Sequence, residues 1–218
     1  MLKKHKTSLI VTSLVILIPI LVGLLLWDKL PEQVPFHWGI DGQVDNWADK
    51  PTAVFLIPLI LLAMHWVCIL VSSADPKNKS YHPKAFTLVL WICPMLNLMI
   101  SSIMYATALG YAVNVEVMMP LFMGALFIII GNLLPKMRQS TTMGIKLPWT
   151  LHSEENWNKT HRFSGKLWVA GGIVILATAF LGSFWILIAV LLVMVIIPTL
   201  YSYLLYHMQR KNDEGEKI

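Results

Sequence analysis

The sequence has little charge. Of its 218 residues 13% are charged and 56% are hydrophobic, whereas about a quarter of the residues in an average soluble domain are charged. The net charge is +5 at pH 7, but the basic residues are scattered between apolar runs and form no continuous basic stripe. This composition excludes a protein dissolved chiefly in water, and we expect no direct nucleic-acid partner.

Cysteine is also scarce. Cys68 and Cys93 each fall inside an apolar run, where a buried thiol is the ordinary interpretation. The sequence therefore predicts neither a disulfide framework nor a zinc finger, and it lacks the motifs of serine proteases and zinc proteases. We expect a protein that has no cofactor and is not an enzyme.

Long apolar runs, in contrast, are abundant. A spanning helix needs about 20 apolar residues, because it rises 1.5 Å per residue through a hydrocarbon layer about 30 Å thick. Six runs without Asp, Glu, Lys or Arg approach or exceed this length, at 8–27, 52–73, 86–109, 117–134, 167–181 and 184–206. The last two must form a hairpin, because one helix over both would be about 60 Å long, and we expect the turn at Gly182 and Ser183. The predicted fold class is all-α, a polytopic membrane protein with six transmembrane helices.

The basic residues divide unevenly between the two sides of these spans. One side carries only Lys29 and Lys50 of the 17 lysines and arginines, and the other side carries the rest. Short loops rich in lysine and arginine remain in the cytoplasm. The distribution predicts a multi-pass protein of a bacterial cell membrane with both termini in the cytoplasm.

The first external loop, residues 28–51, contains five acidic residues and two lysines, and we call it the acidic hairpin. Asp41-Gly42 is a strong turn signal and predicts the hairpin. An acidic surface could receive a cationic peptide, or it could simply remain solvated. His37, Asp41 and Asp45 could also form a metal site, but they match neither EF-hand nor HExxH spacing, so we expect no metal. The candidate peptide-facing residues are His37, Trp38, Asp41, Gly42, Asp45 and Trp47.

The second polar loop, residues 135–166, is cytoplasmic in this topology, and we call it the polar segment. Ser153 followed by Glu154 and Glu155 predicts the start of a helix. This helix could anchor the fifth span at the membrane surface, or the segment could dock a soluble partner, since it is longer than a connection requires. The candidate partner-facing residues are Gly144, Lys146, Pro148, Trp149, Thr150, Glu155, Trp157, Lys159, His161 and Arg162.

Polar side chains within the predicted spans are few. His65, Asn97 and Asn132 lie in the second, third and fourth spans. A histidine in hydrocarbon could relay protons or contact a ligand. Histidine and asparagine also form hydrogen bonds between helices, and we favour this role here.

Parts of both polar loops resemble the SdpI family of bacterial membrane proteins. Residues 30–45 are similar to an uncharacterised amino-terminal module that accompanies the family, and residues 144–151, with Glu155, Trp157 and Phe163, resemble its most distinctive segment. Lys146 stands where we expect arginine. The resemblance divides the chain into an amino-terminal module with two spans at 1–83 and an SdpI-like module with four spans at 84–218.

The resemblance implies a protein of toxin immunity, or bacteriocin resistance, that protects the cell against a secreted peptide toxin of the SdpC kind. It also implies signal transduction in some members, where the toxin-occupied protein holds a small winged-helix repressor at the membrane. The implied partners are thus the lipid bilayer, the toxin and the repressor. The peptide-facing residues of the acidic hairpin would then face the toxin, and the partner-facing residues of the polar segment would face the repressor.

Two other functions stay open from the sequence. Glu154-Glu155 imitates the paired glutamates of CAAX-type intramembrane proteases, but the pair lies in a loop and no histidine in a later span completes a catalytic base. A small-solute transporter would use His65 and the proline-containing spans.

Overall fold

The computed structural model describes residues 5–75 and 83–215. Its elements run in the order α1 (Lys6–Leu25), β1 (Gln33–Trp38), β2 (Val44–Asp49), α2 (Ile57–Ala74), α3 (Pro83–Ala108), α4 (Val115–Leu133), α5 (Pro148–His152), α6 (Glu154–Thr178) and α7 (Phe184–Gly215). A π-helical turn, Thr52–Leu56, precedes α2, and 3-10 turns, Leu134–Lys136 and Ala179–Leu181, follow α4 and α6.

Six of the described helices, all except the short α5, are long and apolar enough to cross a membrane. This confirms the predicted all-α polytopic fold. The last two spans turn at Gly182 and Ser183 as predicted. The orientation of the spans and the module boundary at residue 83 stay predictions.

The fifth span begins well before its predicted start at residue 167. The α6 helix runs without interruption from Glu154, so the predicted surface helix and the span are one element. The Ser153 hydroxyl accepts a hydrogen bond from the Asn156 backbone N–H, which confirms the predicted helix start. The prediction began too late because Lys159, Arg162 and Lys166 ended the apolar run, although they are good helix formers.

The described residues divide into two compact units. The first contains residues 5–74 and 83–115, and the second contains residue 75 and residues 116–215. In the first unit α1, α2 and α3 pack against one another, and β1 contacts α3. In the second unit α6 packs against α7.

The acidic hairpin is an antiparallel pair of strands, as predicted. Gln33 of β1 pairs with Asp49 of β2, and the pairing continues with irregularities around His37. Val34 is fully buried in a cluster with Leu30 of the same loop and with four side chains from the adjoining helical segments: Ala53, Val54, Met104 and Tyr105. This apolar burial holds the hairpin to the spans of its own unit.

The hairpin leads directly into the second span. The Asp49 carboxylate accepts a hydrogen bond from the Thr52 backbone N–H at 3.4 Å. Hydrogen bonding by Thr52 holds the pKa of this exposed carboxyl below its ordinary value. An ionised Asp49 therefore marks the beginning of the helical segment.

Glycines bring α4 and α6 close together in the second unit. A Cβ placed on Gly124 would lie 2.8 Å from the Gly172 carbonyl oxygen, and a Cβ on Gly131 would lie 2.9 Å from the Gly165 carbonyl oxygen. On each helix the two glycines are seven residues apart, so they repeat on one face. Backbone contact of this kind is how membrane helices pack when small residues line their interface.

Candidate functional site

The toxin-facing residues predicted from the sequence all lie in the acidic hairpin, and most are displayed at its surface. His37, Asp45 and Trp47 are exposed. The His37 Nδ1 lies 2.6 Å from the Asp45 Oδ1, which joins the two strands across the exposed face. The indole of Trp47, in the same strand as Asp45, is also exposed. The surface therefore combines acidic groups with an aromatic ring.

The tip of the hairpin contains the other predicted surface residues. The Asp41 Oδ1 accepts a hydrogen bond from the Gln43 backbone N–H at 3.2 Å. The Gly42 N–H donates to the Gly39 carbonyl at 3.0 Å and closes the turn. Trp38, in contrast, is partly buried against the apolar cluster beneath the hairpin. Trp38 therefore packs the hairpin onto this cluster and contributes little to the exposed surface.

Lys50, one of the two lysines of the hairpin, is buried. Its side chain is 7% exposed, and its Nζ lies 2.9 Å from the Glu32 carboxylate and 5.3 Å from the centre of the Trp27 ring. It also donates to the Trp27 carbonyl at 3.3 Å. The positive charge of Lys50 is therefore directed inward, and the outward charge of the hairpin is dominated by carboxylates.

The described residues show no metal site. No group of three or more His, Cys, Asp and Glu side chains in the described part of the chain is placed to hold a metal ion. His37 and Asp45 contact each other, while the Asp41 carboxylate is bonded in the turn.

The polar segment is folded around a stacked pair of side chains. The rings of Trp157 and His161 lie 4.0 Å apart and nearly parallel. The Ile145 backbone N–H donates to the His161 Nε2 at 3.0 Å, so the ring proton sits on Nδ1 and points to the Trp157 carbonyl, 2.8 Å away. The Trp157 indole N–H donates to the Met137 carbonyl at 2.8 Å. The backbone at Met137 and at Ile145 is thus fixed to the first turns of α6.

Thr150 closes the loop that precedes α5. Its hydroxyl lies 2.9 Å from the Ile145 carbonyl and accepts a hydrogen bond from the Leu147 backbone N–H. The Gln139 side-chain amide donates to the Thr150 and Leu151 carbonyls at the end of the same turn. Pro148 at the first helical position provides a pre-set φ there. The backbone of this loop is therefore held by side chains from within the segment.

Trp149 is joined to α6 and α7 by a buried hydrogen-bond network. Its indole N–H donates to the Ser202 hydroxyl at 2.7 Å, and that hydroxyl donates to the Asn156 Oδ1 at 2.7 Å. The Asn156 amide donates to the Ser202 carbonyl, and Thr160 donates to the same Asn156 oxygen. Asn156, Ser202 and Thr160 are fully buried. Asn156 is the centre of this network.

Replacement of Asn156 with alanine is expected to destabilise the protein by about 2 kcal/mol, because Ser202 and Thr160 would lose buried partners. Asn158 is exposed on the same helix, and its alanine variant should change stability by no more than about 0.5 kcal/mol. Unfolding of both variants in mixed detergent micelles measures the difference. Equal stabilities would show that the network contributes little.

The partner-facing residues predicted in the polar segment separate into two groups. Thr150, Trp157 and His161 are buried, which corrects their interpretation as surface residues: they hold the segment together. Gly144 packs beneath the Trp157 and His161 rings. Trp149 is partly buried, and the members exposed at the surface are Lys146, Pro148, Glu155, Lys159 and Arg162.

The paired glutamates do not resemble a catalytic pair in their surroundings. Glu154 and Glu155 are exposed in the first turn of α6. Glu155 forms an ion pair with Lys159 at 2.5 Å and accepts a hydrogen bond from the Gln209 amide at 3.0 Å. These contacts match a capped helix end, and they give no support to the protease alternative.

Two of the three polar residues within the spans connect helices. The fully buried His65 Nε2 lies 3.1 Å from the Thr12 hydroxyl oxygen and joins α2 to α1. The Asn97 amide donates to the Ile16 carbonyl at 2.7 Å and joins α3 to α1. Asn132 is exposed and donates to the Ile128 carbonyl of its own helix. The expected interhelical role is therefore wrong for Asn132.

One buried cluster in the second unit was not found from the sequence. The Asp75 carboxylate accepts hydrogen bonds from the Ser140 hydroxyl at 2.5 Å, the Thr141 N–H at 2.9 Å and the Thr142 hydroxyl at 3.1 Å. Asp75 is 7% exposed. Two signals could have suggested it: an acid directly after an apolar span and the run of hydroxyl residues at 140–142.

Comparison with known proteins agrees with these features. A family model described as the SdpI/YfhL protein family matches residues 136–202, and a model of a domain of unknown function, DUF1648, matches residues 14–62. The chain is 30% identical over 204 residues to a Bacillus subtilis (strain 168) protein named Immunity protein SdpI, a match that covers 90% of this chain and 95% of that relative. No solved structure matches the chain significantly.

These matches confirm the resemblance found in the sequence. They include most of the polar segment and the hairpin together with part of the first span. The extent of the match and the six apolar helices agree with a multi-pass protein of the bacterial cell membrane. The chain therefore belongs to the SdpI/YfhL family, and its kinship with an immunity protein supports a function in membrane immunity.

Proposed function

We propose that this protein protects the bacterium that makes it against a secreted, cationic peptide toxin of the SdpC type. The observation that carries the proposal is the match over nearly the whole length of a relative named as an immunity protein. In this proposal the acidic hairpin faces the outside of the cell, as the distribution of lysine and arginine predicts. Protection then proceeds by binding and without catalysis.

The exposed chemistry of the hairpin supports a cationic ligand. Asp28, Glu32, Asp41, Asp45 and Asp49 are exposed, whereas Lys50 is buried against Glu32 and Trp27. Acidic groups of this density attract a cationic peptide over distances comparable to the Debye length, about 10 Å at 0.1 M salt. The His37 and Asp45 contact and the exposed Trp47 ring would provide short-range contacts.

The immunity function is tested by expressing the chain in a toxin-sensitive bacterium that lacks its own immunity protein. Cells that carry the protein in their membrane should survive a dose of SdpC-type toxin that kills cells with an empty vector. A fluorescent tag confirms membrane insertion. Killing of both strains at the same dose, with normal insertion, would contradict the proposal.

A second role in signalling is favoured by the surface of the polar segment. Lys146, Arg162 and Lys166 are exposed on a part of the chain whose core is fixed by the Trp157 and His161 stack. Such a surface could bind the small winged-helix repressor implied by the family. It would act as a switch if toxin binding changes the affinity of this surface for the repressor. Recovery of repressor with the membrane fraction should rise when toxin is added, and equal recovery with and without toxin would exclude the switch.

A further inference from the structure

A groove lies in the membrane-spanning part of the first unit, between α1 and α3. Its volume is about 380 Å³, which is within the range of ligand pockets in proteins. Apolar side chains such as Ile18, Val22 and Leu98 form most of its wall, and Ser101 and Tyr105 are among its few polar members. The groove is open on one side.

The polar groups named in this wall are already bonded within the protein. The Ser101 hydroxyl lies 3.4 Å from the Asn97 Oδ1, and the Tyr105 hydroxyl donates to the Pro19 carbonyl at 3.0 Å. A ligand would therefore gain chiefly by apolar contact in this groove. The groove suits aliphatic or aromatic side chains better than polar ones.

The groove occupies the half of the spans nearest to the acidic hairpin. Its wall on α1 extends from Ile18 to Leu26, which is about 12 Å of helix. Half of the hydrocarbon layer is about 15 Å thick. The groove therefore lies within a single leaflet, the one next to the hairpin.

The groove adjoins the apolar cluster that supports the hairpin. Leu26, Tyr105 and Leu109 line the groove, and the same three side chains belong to or pack against the cluster that supports the hairpin. The apolar groove thus ends beneath a cap whose outward charge is mostly negative. Phosphate headgroups are repelled by such a cap and cations are attracted, so its charge does not favour a phospholipid.

We propose that the groove and the acidic hairpin together bind one cationic amphipathic peptide helix that lies in the leaflet next to the hairpin. Amphipathic helices bury their apolar face about 5–10 Å into a leaflet and keep their basic face at the headgroups. At that depth the apolar side chains enter the groove, and the basic side chains lie at Asp41 and Asp45. This inference rests on the proposed immunity function and names the place where the toxin is held.

Photo-crosslinking from the groove tests the inference. The photoreactive residue benzoylphenylalanine replaces Ser102, which is exposed and lines the groove. The matched control replaces Ala63, which is exposed on α2 and is not among the groove residues. Both full-length variants are expressed in the sensitive bacterium, treated with a biotin-labelled SdpC-type toxin and irradiated.

The toxin is expected to crosslink about tenfold more strongly at position 102 than at position 63. Equal crosslinking at both positions would show a toxin dispersed in the lipid and would overturn the inference, as would products that contain phospholipid alone. If the wild-type chain protects the cells but the toxin does not crosslink at position 102, the groove is not the binding site, while the immunity function is unaffected. Failure of the wild-type chain to protect would overturn the immunity function itself.

The charge of the cap is tested with the double variant Asp41→Asn and Asp45→Asn. Asparagine retains an oxygen that accepts the Gln43 N–H, so the turn is preserved. Crosslinking at position 102 should fall severalfold at low salt, and less at high salt, because electrostatic attraction is screened. Unchanged crosslinking at low salt would show that the carboxylates do not hold the peptide.

Discussion

Replacement of Gly144 with alanine is expected to lower the free energy of unfolding by about 3–4 kcal/mol and to abolish protection. Gly144 has φ of +117°, a conformation that L side chains rarely adopt. An added Cβ would also lie 2.6 Å from the His161 Nε2 and 2.7 Å from the Trp157 ring. These rings are held on both sides by hydrogen bonds, so they cannot retreat without breaking the segment.

The matched control is alanine at Gly110, which has φ of +84° but no atom within 4 Å of an added Cβ. This variant bears only the backbone strain, about 1–2 kcal/mol. Thermal unfolding of both variants in detergent separates strain from overlap. Equal losses of stability in the two variants would show that the Trp157 and His161 rings can move aside to accommodate the added Cβ.

Leucine in place of Gly172 is expected to force α4 and α6 apart at a cost of about 3 kcal/mol. An added Cβ there would lie 2.7 Å from the Gly124 carbonyl oxygen and 3.0 Å from the Ile128 backbone nitrogen. Both neighbours are backbone atoms, so no rotamer change can make space for the side chain. The variant should reach the membrane in reduced amount and melt well below the wild type.

Leucine at Ala170 is the control for this prediction, because Ala170 is exposed on the same helix. An exposed apolar side chain in a membrane helix faces lipid, so the change should be within about 0.5 kcal/mol. Melting curves followed by size-exclusion chromatography of tagged protein measure both variants. A Gly172 variant as stable as the Ala170 variant would show that α4 and α6 do not depend on close backbone contact.

The features that the sequence predicts well depend on local chemistry. The six spans follow from the length of apolar runs, the hairpin follows from Asp41 and Gly42, and the start of α6 follows from Ser153. Each of these signals acts within a few residues of the structure that it specifies. The polar segment and the acidic hairpin could therefore be located from the sequence alone.

The contacts that the sequence did not predict join residues far apart in the chain. Asp75 bonds to residues 65–67 positions away, and Asn156 bonds to Ser202, 46 positions away. No periodic pattern reports such pairs, because they depend on how helices pack in three dimensions. The same limit explains why Trp157 and His161 were predicted to face a partner and are buried instead.

The continuity of α6 also determines how a change in the membrane can reach the polar segment. Its 25 residues form a rod about 37 Å long. Near one end the rod carries the Trp157 and His161 stack, and farther along it carries Gly165 and Gly172, which abut α4. A tilt or axial slide of this rod moves both places at once, since a regular helix transmits displacement along its length without local melting. A rearrangement of the membrane-spanning helices that moves α6 would therefore also displace the stacked rings.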